Sequence, residues 1–91
     1  MGKRRTYRLA SLPVVLRQFR KRLPKMTQEK VGERLGVSNT YISKLEKGKE
    51  YPSIGMLVRI AKALEVRPGE LLDAISDQED ALQKETLPPE E

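Results

Sequence analysis

The chain of 91 residues contains no cysteine and no histidine. Without thiols there is no disulfide framework and no thiolate metal site. Without imidazole, the commonest proton-transfer group and the commonest nitrogen ligand for a metal are missing together. Hydrolytic chemistry would rest on carboxylates, lysine and tyrosine alone. No catalytic residue, no metal, no cofactor and no small-molecule ligand is therefore expected. Long apolar runs are lacking too: nothing approaches the ~20 consecutive apolar residues of a membrane span. Lys3, Arg4 and Arg5 imitate the charged start of a secretion signal, but Arg8 and Arg17 interrupt the stretch behind them, so no apolar signal core follows. Aromatic residues make up only 4%. No helix pairs a basic face with a strongly apolar face carrying aromatic anchors, which excludes a membrane-surface binder.

What is present is charge, unevenly placed. Lysine and arginine number 18 against 13 acidic residues, a formal charge of +5. Residues 76–91 hold six acids and one base, net −5, so residues 1–75 carry net +10. A basic body with an acidic end points to a polyanionic partner, nucleic acid first. A solvated basic surface is the plainer alternative, and composition does not separate the two.

The apolar periodicity is helical throughout. Residues 1–11 read as a flexible basic arm. Leu12, Val15, Leu16, Phe19 and Leu23 lie on one face of a first helix over about 12–23, with Ser11 as its expected cap and Pro24 as its stop. Thr27 caps a second helix, about 27–35, with Val31 and Leu35 on its apolar stripe and Met26 as a staple before the cap. Ser38 caps a third, about 38–47, with Ile42 and Leu45 inward. Ser53 caps a fourth, about 53–65, carrying Ile54, Leu57, Ile60, Ala61 and Leu64 on one face. Pro68 opens a fifth, about 68–75, with Leu71, Leu72 and Ile75. Residues 76–91 read as an acidic tail, with helical character near 78–85 and a disordered end. The fold class is all-α: one compact five-helix bundle over residues 12–75.

The informative spacing lies between helices two and three. Only Gly36 and Val37 separate Leu35 from the cap Ser38. A connection this short joins two helices at a steep angle, which is the helix-turn-helix unit. Gly36 adopts a left-handed turn at no steric cost. Gly32 reads two ways: a weak helix position costing ~1 kcal/mol against alanine, or a small residue where two crossing helices meet. Beside Gly36 and Val37 the packing reading prevails.

The run from Thr27 to Lys49 (TQEKVGERLGVSNTYISKLEKGK), followed by Pro52-Ser53 and Ile60-Ala61-Lys62-Ala63-Leu64, resembles the lambda-repressor-like, or xenobiotic-response-element, helix-turn-helix family. The resemblance covers about residues 12–75. It implies a five-helix DNA-binding domain of a cytoplasmic transcriptional regulator. Such a regulator, typically a repressor or autoregulator, binds double-stranded DNA as a homodimer on a two-fold operator. Helix three becomes the recognition helix, with Asn39, Thr40, Ser43 and Lys44 facing bases and Tyr41 at the edge of that face. Gln28, Ser38, Lys25, Lys47, Lys49 and Tyr51 fall at positions flanking the groove and are assigned to phosphates. Aligning Leu16 and Phe19 with the family makes Arg20 the partner of Glu46 in a structural ion pair, and makes the loop 23–26 one residue longer than usual. Glu65 stands where the family often has glycine. Val58, Leu71, Leu72 and Ile75 exceed the needs of one small core and are assigned to the dimer interface. The alternative reading is an antitoxin-like module whose main partner is a protein held by the acidic tail.

Overall fold

A computed structural model describes residues 9–86, with side chains described through Leu82. The expected arm residues 1–8 and the last tail residues 87–91 lie outside this part. Five helices follow in chain order: α1 Ser11–Arg22, α2 Gln28–Leu35, α3 Asn39–Glu46, α4 Ile54–Ala63 and α5 Pro68–Thr86. No strand occurs among the described residues. None of these helices is long and apolar enough to cross a membrane.

The caps explain most boundaries. Thr27, Ser38 and Ser53 each accept the backbone N–H three residues on, from Lys30, Tyr41 and Met56, at 3.1, 3.2 and 3.1 Å. Each thereby satisfies one of the amides that the first turn leaves without a helical partner. Leu23 is extended, as a residue before proline prefers. Lys25 then takes a left-handed φ of 59°, and Met26 N–H reaches back to the Leu23 carbonyl at 3.2 Å. The additional residue of this loop is thus taken up in one tight turn.

α1 lies in the angle between α3 and α5, while α2 packs on α3 and α4. Their apolar faces meet in one core, with Val15, Phe19, Leu45, Ile60, Leu71 and Ile75 each no more than 3% exposed. Met26 and Val37 pack against its edge.

Three expectations need correction. Ser11 does not cap α1: the cap position is Ala10, with no side-chain cap bond. Ser11 is instead fully buried. Its hydroxyl donates to the Ile75 carbonyl at 2.8 Å, and its backbone N–H donates to Glu79 Oε1 at 3.0 Å. The cap is supplied by α5, because the start of α1 abuts that helix. Ile54 is 74% exposed rather than buried. It is the first residue of α4, and Cβ atoms tilt toward a helix N-terminus, so it projects past the end of the core. Finally, α5 does not stop at Ile75 but continues through Thr86. Glutamine, glutamate, alanine and leucine in this stretch are good helix formers, and Glu79 is anchored on α1.

Candidate nucleic-acid interface

The turn between α2 and α3 is built on two glycines. Gly36 has φ of 74°. Val37 N–H bonds the Gly32 carbonyl at 2.9 Å and Gly36 N–H the Glu33 carbonyl at 3.3 Å, the paired pattern that closes a helix on a left-handed residue. A Cβ on Gly32 would lie 2.7 Å from the Val37 carbonyl oxygen and 3.4 Å from the Ser38 carbonyl group. The chain leaving the turn folds directly over Gly32. Its small size is a packing requirement.

α3 turns Ile42 and Leu45 into the core. On the other side Asn39, Thr40 and Lys44 are exposed, and Ser43 is half-buried. Tyr41 is half-buried and packs its ring against the core, so it sits at the edge of the polar row. The outward surface of the first turns of α3 is thus amide, hydroxyl and ammonium, a set of donors and acceptors able to read base edges.

The far end of α3 is held by one carboxylate. Arg20 Nε donates to Glu46 Oε2 at 2.7 Å, and Arg20 Nη2 to Glu46 Oε1 at 3.1 Å. The remaining terminal nitrogen, Nη1, donates to the Met26 carbonyl at 3.1 Å, and Gln28 Nε2 donates to Glu46 Oε1 at 3.0 Å. The Arg20 and Glu46 side chains are 13% and 6% exposed. This two-pronged pair, with its oxygens further bonded, fixes α3 against α1 and against the start of α2. Gln28 spends one amide hydrogen on Glu46 and keeps a second.

The lysines assigned to phosphates lie in the loops before α2 and after α3. Lys25 is exposed at the left-handed position of the first turn. Lys47 and Lys49 are exposed past the end of α3, with Gly48 between them at φ 76°. Ser38 is exposed, its hydroxyl engaged as the cap of α3. In the same loop, half-buried Tyr51 donates its hydroxyl to the Leu9 carbonyl at 3.0 Å, which joins the start of the described chain to the edge of this surface.

The contacts of two arginines have no counterpart in the sequence reading. Arg34 of α2 donates to the Ala63 carbonyl at the end of α4 (2.7 Å) and to Glu65 (3.0 Å). Arg59 of α4 donates to the Leu35 carbonyl at the end of α2 (2.9 Å). Each helix thus closes the other's C-terminus with a cation, which suits the negative end of a helix dipole. Glu65, where glycine was the family expectation, adopts φ of 65°. Its N–H and that of Val66 still make the closing bonds, to the carbonyls of Lys62 and Ala61 at 3.0 and 2.9 Å. An arginine on each of the two helices was the only available signal, and their partners lie 24 to 31 residues away.

The four residues assigned to a dimer interface separate. Leu71 and Ile75 are 0% and 1% exposed within the single chain. They belong to its core and cannot meet another copy. Val58 and Leu72 are open, at 36% and 47%.

Comparison with known proteins agrees with this geometry. Residues 16–71 match the family described as helix-turn-helix. Control protein C.BamHI of Bacillus amyloliquefaciens is 40% identical over 58 residues, 64% of this chain and 72% of that protein. The crystal structure of the clp gene regulator ClgR from Corynebacterium glutamicum superimposes with a TM-score of 0.75 at 26% identity, covering 88% of this chain and 86% of ClgR. The restriction-modification controller protein C.Esp1396I, solved as a tetramer in complex with its natural operator of 35 base pairs, superimposes with a TM-score of 0.71 at 25% identity, covering 82% of this chain and 97% of that one. With α2, the Gly36 turn and α3 all inside the matched span, the chain belongs to the helix-turn-helix family.

Proposed function

We propose that this protein is a sequence-specific DNA-binding transcriptional regulator, a repressor or autoregulator of a bacterial type. It acts in the cytoplasm as a homodimer and lays α3 in the major groove of a two-fold operator. The observation that carries this reading is the exposed row Asn39, Thr40 and Lys44 on a helix whose opposite face is buried and whose end is clamped through Glu46. Base readout needs donors and acceptors held in a defined register, and the clamp supplies that register.

Within this reading Asn39 pairs with adenine, Lys44 donates to guanine, and Thr40 and Ser43 contact neighbouring edges, with Tyr41 at the rim. Gln28 has a second role: the amide hydrogen left over from Glu46 meets a phosphate at the N-terminus of α2. Ser38, Lys25, Lys47 and Lys49 take further phosphates, which position the protein without reading sequence. Ile54 and Val58, one turn apart on α4 and both exposed, offer the apolar strip for self-association. The operator-bound C.Esp1396I tetramer supports DNA binding and assembly in a chain of the same fold.

Selection from a random duplex library at ~150 mM salt tests the proposal. We expect a symmetric site with half-sites about one helical turn apart. Asn39→Ala and Lys44→Ala should each lose ~1–3 kcal/mol of discrimination at one or two positions. Binding without an enriched sequence, steep in salt and indifferent to both substitutions, would reduce the basic body to an electrostatic footprint.

A further inference from the structure

The start of α1 sits in a corner between two surfaces of opposite charge. On one side is the loop of Lys47 and Lys49, whose Tyr51 holds the Leu9 carbonyl. On the other side is α5, whose Glu79 holds the Ser11 amide. Along that second side runs an open groove of about 400 Å³. Leu9 and Leu72 form its apolar floor, and Asp73, Glu79 and Asp80 its acidic rim. Leu9 and Leu72 are 41% and 47% exposed, so the floor is uncovered. Asp73 and Asp80 have no cationic partner among the described residues. From Pro68 to Gln83 the chain carries five acids and no base.

The segment that precedes Leu9 has the complementary character. Residues 1–8 carry Lys3, Arg4, Arg5 and Arg8 and no acid, with the aromatic Tyr7 among them. They are joined covalently to the wall of the groove. Eight residues span about 26–29 Å when extended. Leu72 and Asp80 are separated by about 12 Å of helix, so the segment reaches the whole groove. Tethering raises its effective concentration there to about the millimolar range, so a weak intrinsic contact suffices.

We propose that this apolar-floored, acid-rimmed groove on α5 seats the chain's own residues 1–8 in the DNA-free protein, and that duplex DNA competes with the groove for them. The second half rests on the DNA-binding reading; the first half does not. Leu9, to which the basic segment is joined, is bonded by Tyr51 of the loop that also carries Lys47 and Lys49. While seated the segment is withheld from DNA. A segment seated nine-tenths of the time lowers apparent affinity about tenfold, and one seated half the time about twofold.

The chain has no cysteine, so Gly2→Cys offers a single position for a nitroxide. In the full-length, DNA-free protein at ~50 mM salt, the amides of Leu72 to Asp80 should be broadened more strongly than those of Lys47 to Tyr51. The bias should fade at 1 M salt, where the screening length falls to about 3 Å, and in Asp73→Asn/Asp80→Asn. Equal broadening on both sides, unmoved by salt or by these substitutions, overturns the seat. So does broadening that appears only when labelled and isotope-enriched chains are mixed, because the groove is then filled by a second copy. Competition is read separately, by duplex affinity. Asp73→Asn/Asp80→Asn should raise it about two- to tenfold in the native chain, and by less than half as much when Lys3, Arg4, Arg5 and Arg8 are all replaced by glutamine. An equal gain in both backgrounds overturns the competition. Absence of any duplex binding overturns the DNA reading and with it the competition, and leaves the nitroxide result to decide the seat.

Discussion

The α2–α3 unit and the corner where α1 meets α5 are built on opposite plans. In the first, the defining bonds are local: Thr27 to Lys30, Ser38 to Tyr41, Val37 to Gly32. Each closes a helix end within six residues, and Gly32 brings the two helices together. In the second, the defining bonds span most of the chain: Ser11 to Ile75 and Ser11 to Glu79, 64 and 68 residues apart. The first unit is specified by which residues are neighbours in sequence. The second exists only once the bundle has closed. The start of the element proposed to read DNA is therefore set by local bonds, with Arg20 holding its far end across 26 residues, whereas the start of α1, which follows the basic segment, is positioned by the finished fold.

Substitutions test this division in order of size. Arg20→Met should have the largest effect, because it leaves Glu46, 6% exposed, as a nearly buried charge with only Gln28 to satisfy it. Breaking such a pair costs about 3–5 kcal/mol, read as a lower denaturation midpoint. A loss below 1 kcal/mol would mean that Glu46 does not clamp α3. Gly32→Ala comes next. Overpacking costs about 1–3 kcal/mol, offset by up to about 1 from better helix propensity. Because the clash is with the backbone of the turn, we expect a net loss of about 1–2 kcal/mol and reduced operator binding. An unchanged or raised stability would show that the two helices do not need the close approach. Ser11→Ala should cost about 1 kcal/mol, the worth of one net hydrogen bond. Hydrogen exchange should accelerate at the start of α1 and along α5 while α2 and α3 stay protected. If protection falls evenly across all five helices, the two regions are not separable. Smallest is Lys49→Gln, with stability unchanged and the slope of log affinity against log salt reduced by about 0.9. An unaltered slope removes Lys49 from the phosphate contacts.

Much of this architecture is legible in particular residues. Three Ser/Thr caps, the stop at Pro24 and the left-handed Gly36 announce helix ends, because capping is a property of a few adjacent groups. The candidate reading face follows from the same local order, since the cap at Ser38 sets which residues begin α3. Ile54 and Leu72 show where periodicity runs out. Both fall on an apolar stripe, yet one lies beyond the end of the core and the other on the flank of α5. Leu71 and Ile75 show the converse: residues that looked surplus to a small core fill it. The apolar pattern tells which face of a helix is inward, not how far along the helix the neighbours reach.

By itself, then, the sequence determined the five helices, the sharp turn between the second and third, and the absence of thiol and imidazole chemistry. These depend on composition and on groups within one or two turns of each other. Only the tertiary structure decided that Arg34 and Arg59 close each other's helices, that Ser11 is capped from α5, and that α5 runs on through Thr86. It also placed an apolar groove with an acidic rim beside the root of the basic segment. The hydrogen bonds among these features join groups 24 to 68 residues apart, a separation over which no local pattern survives and only packing sets the distance.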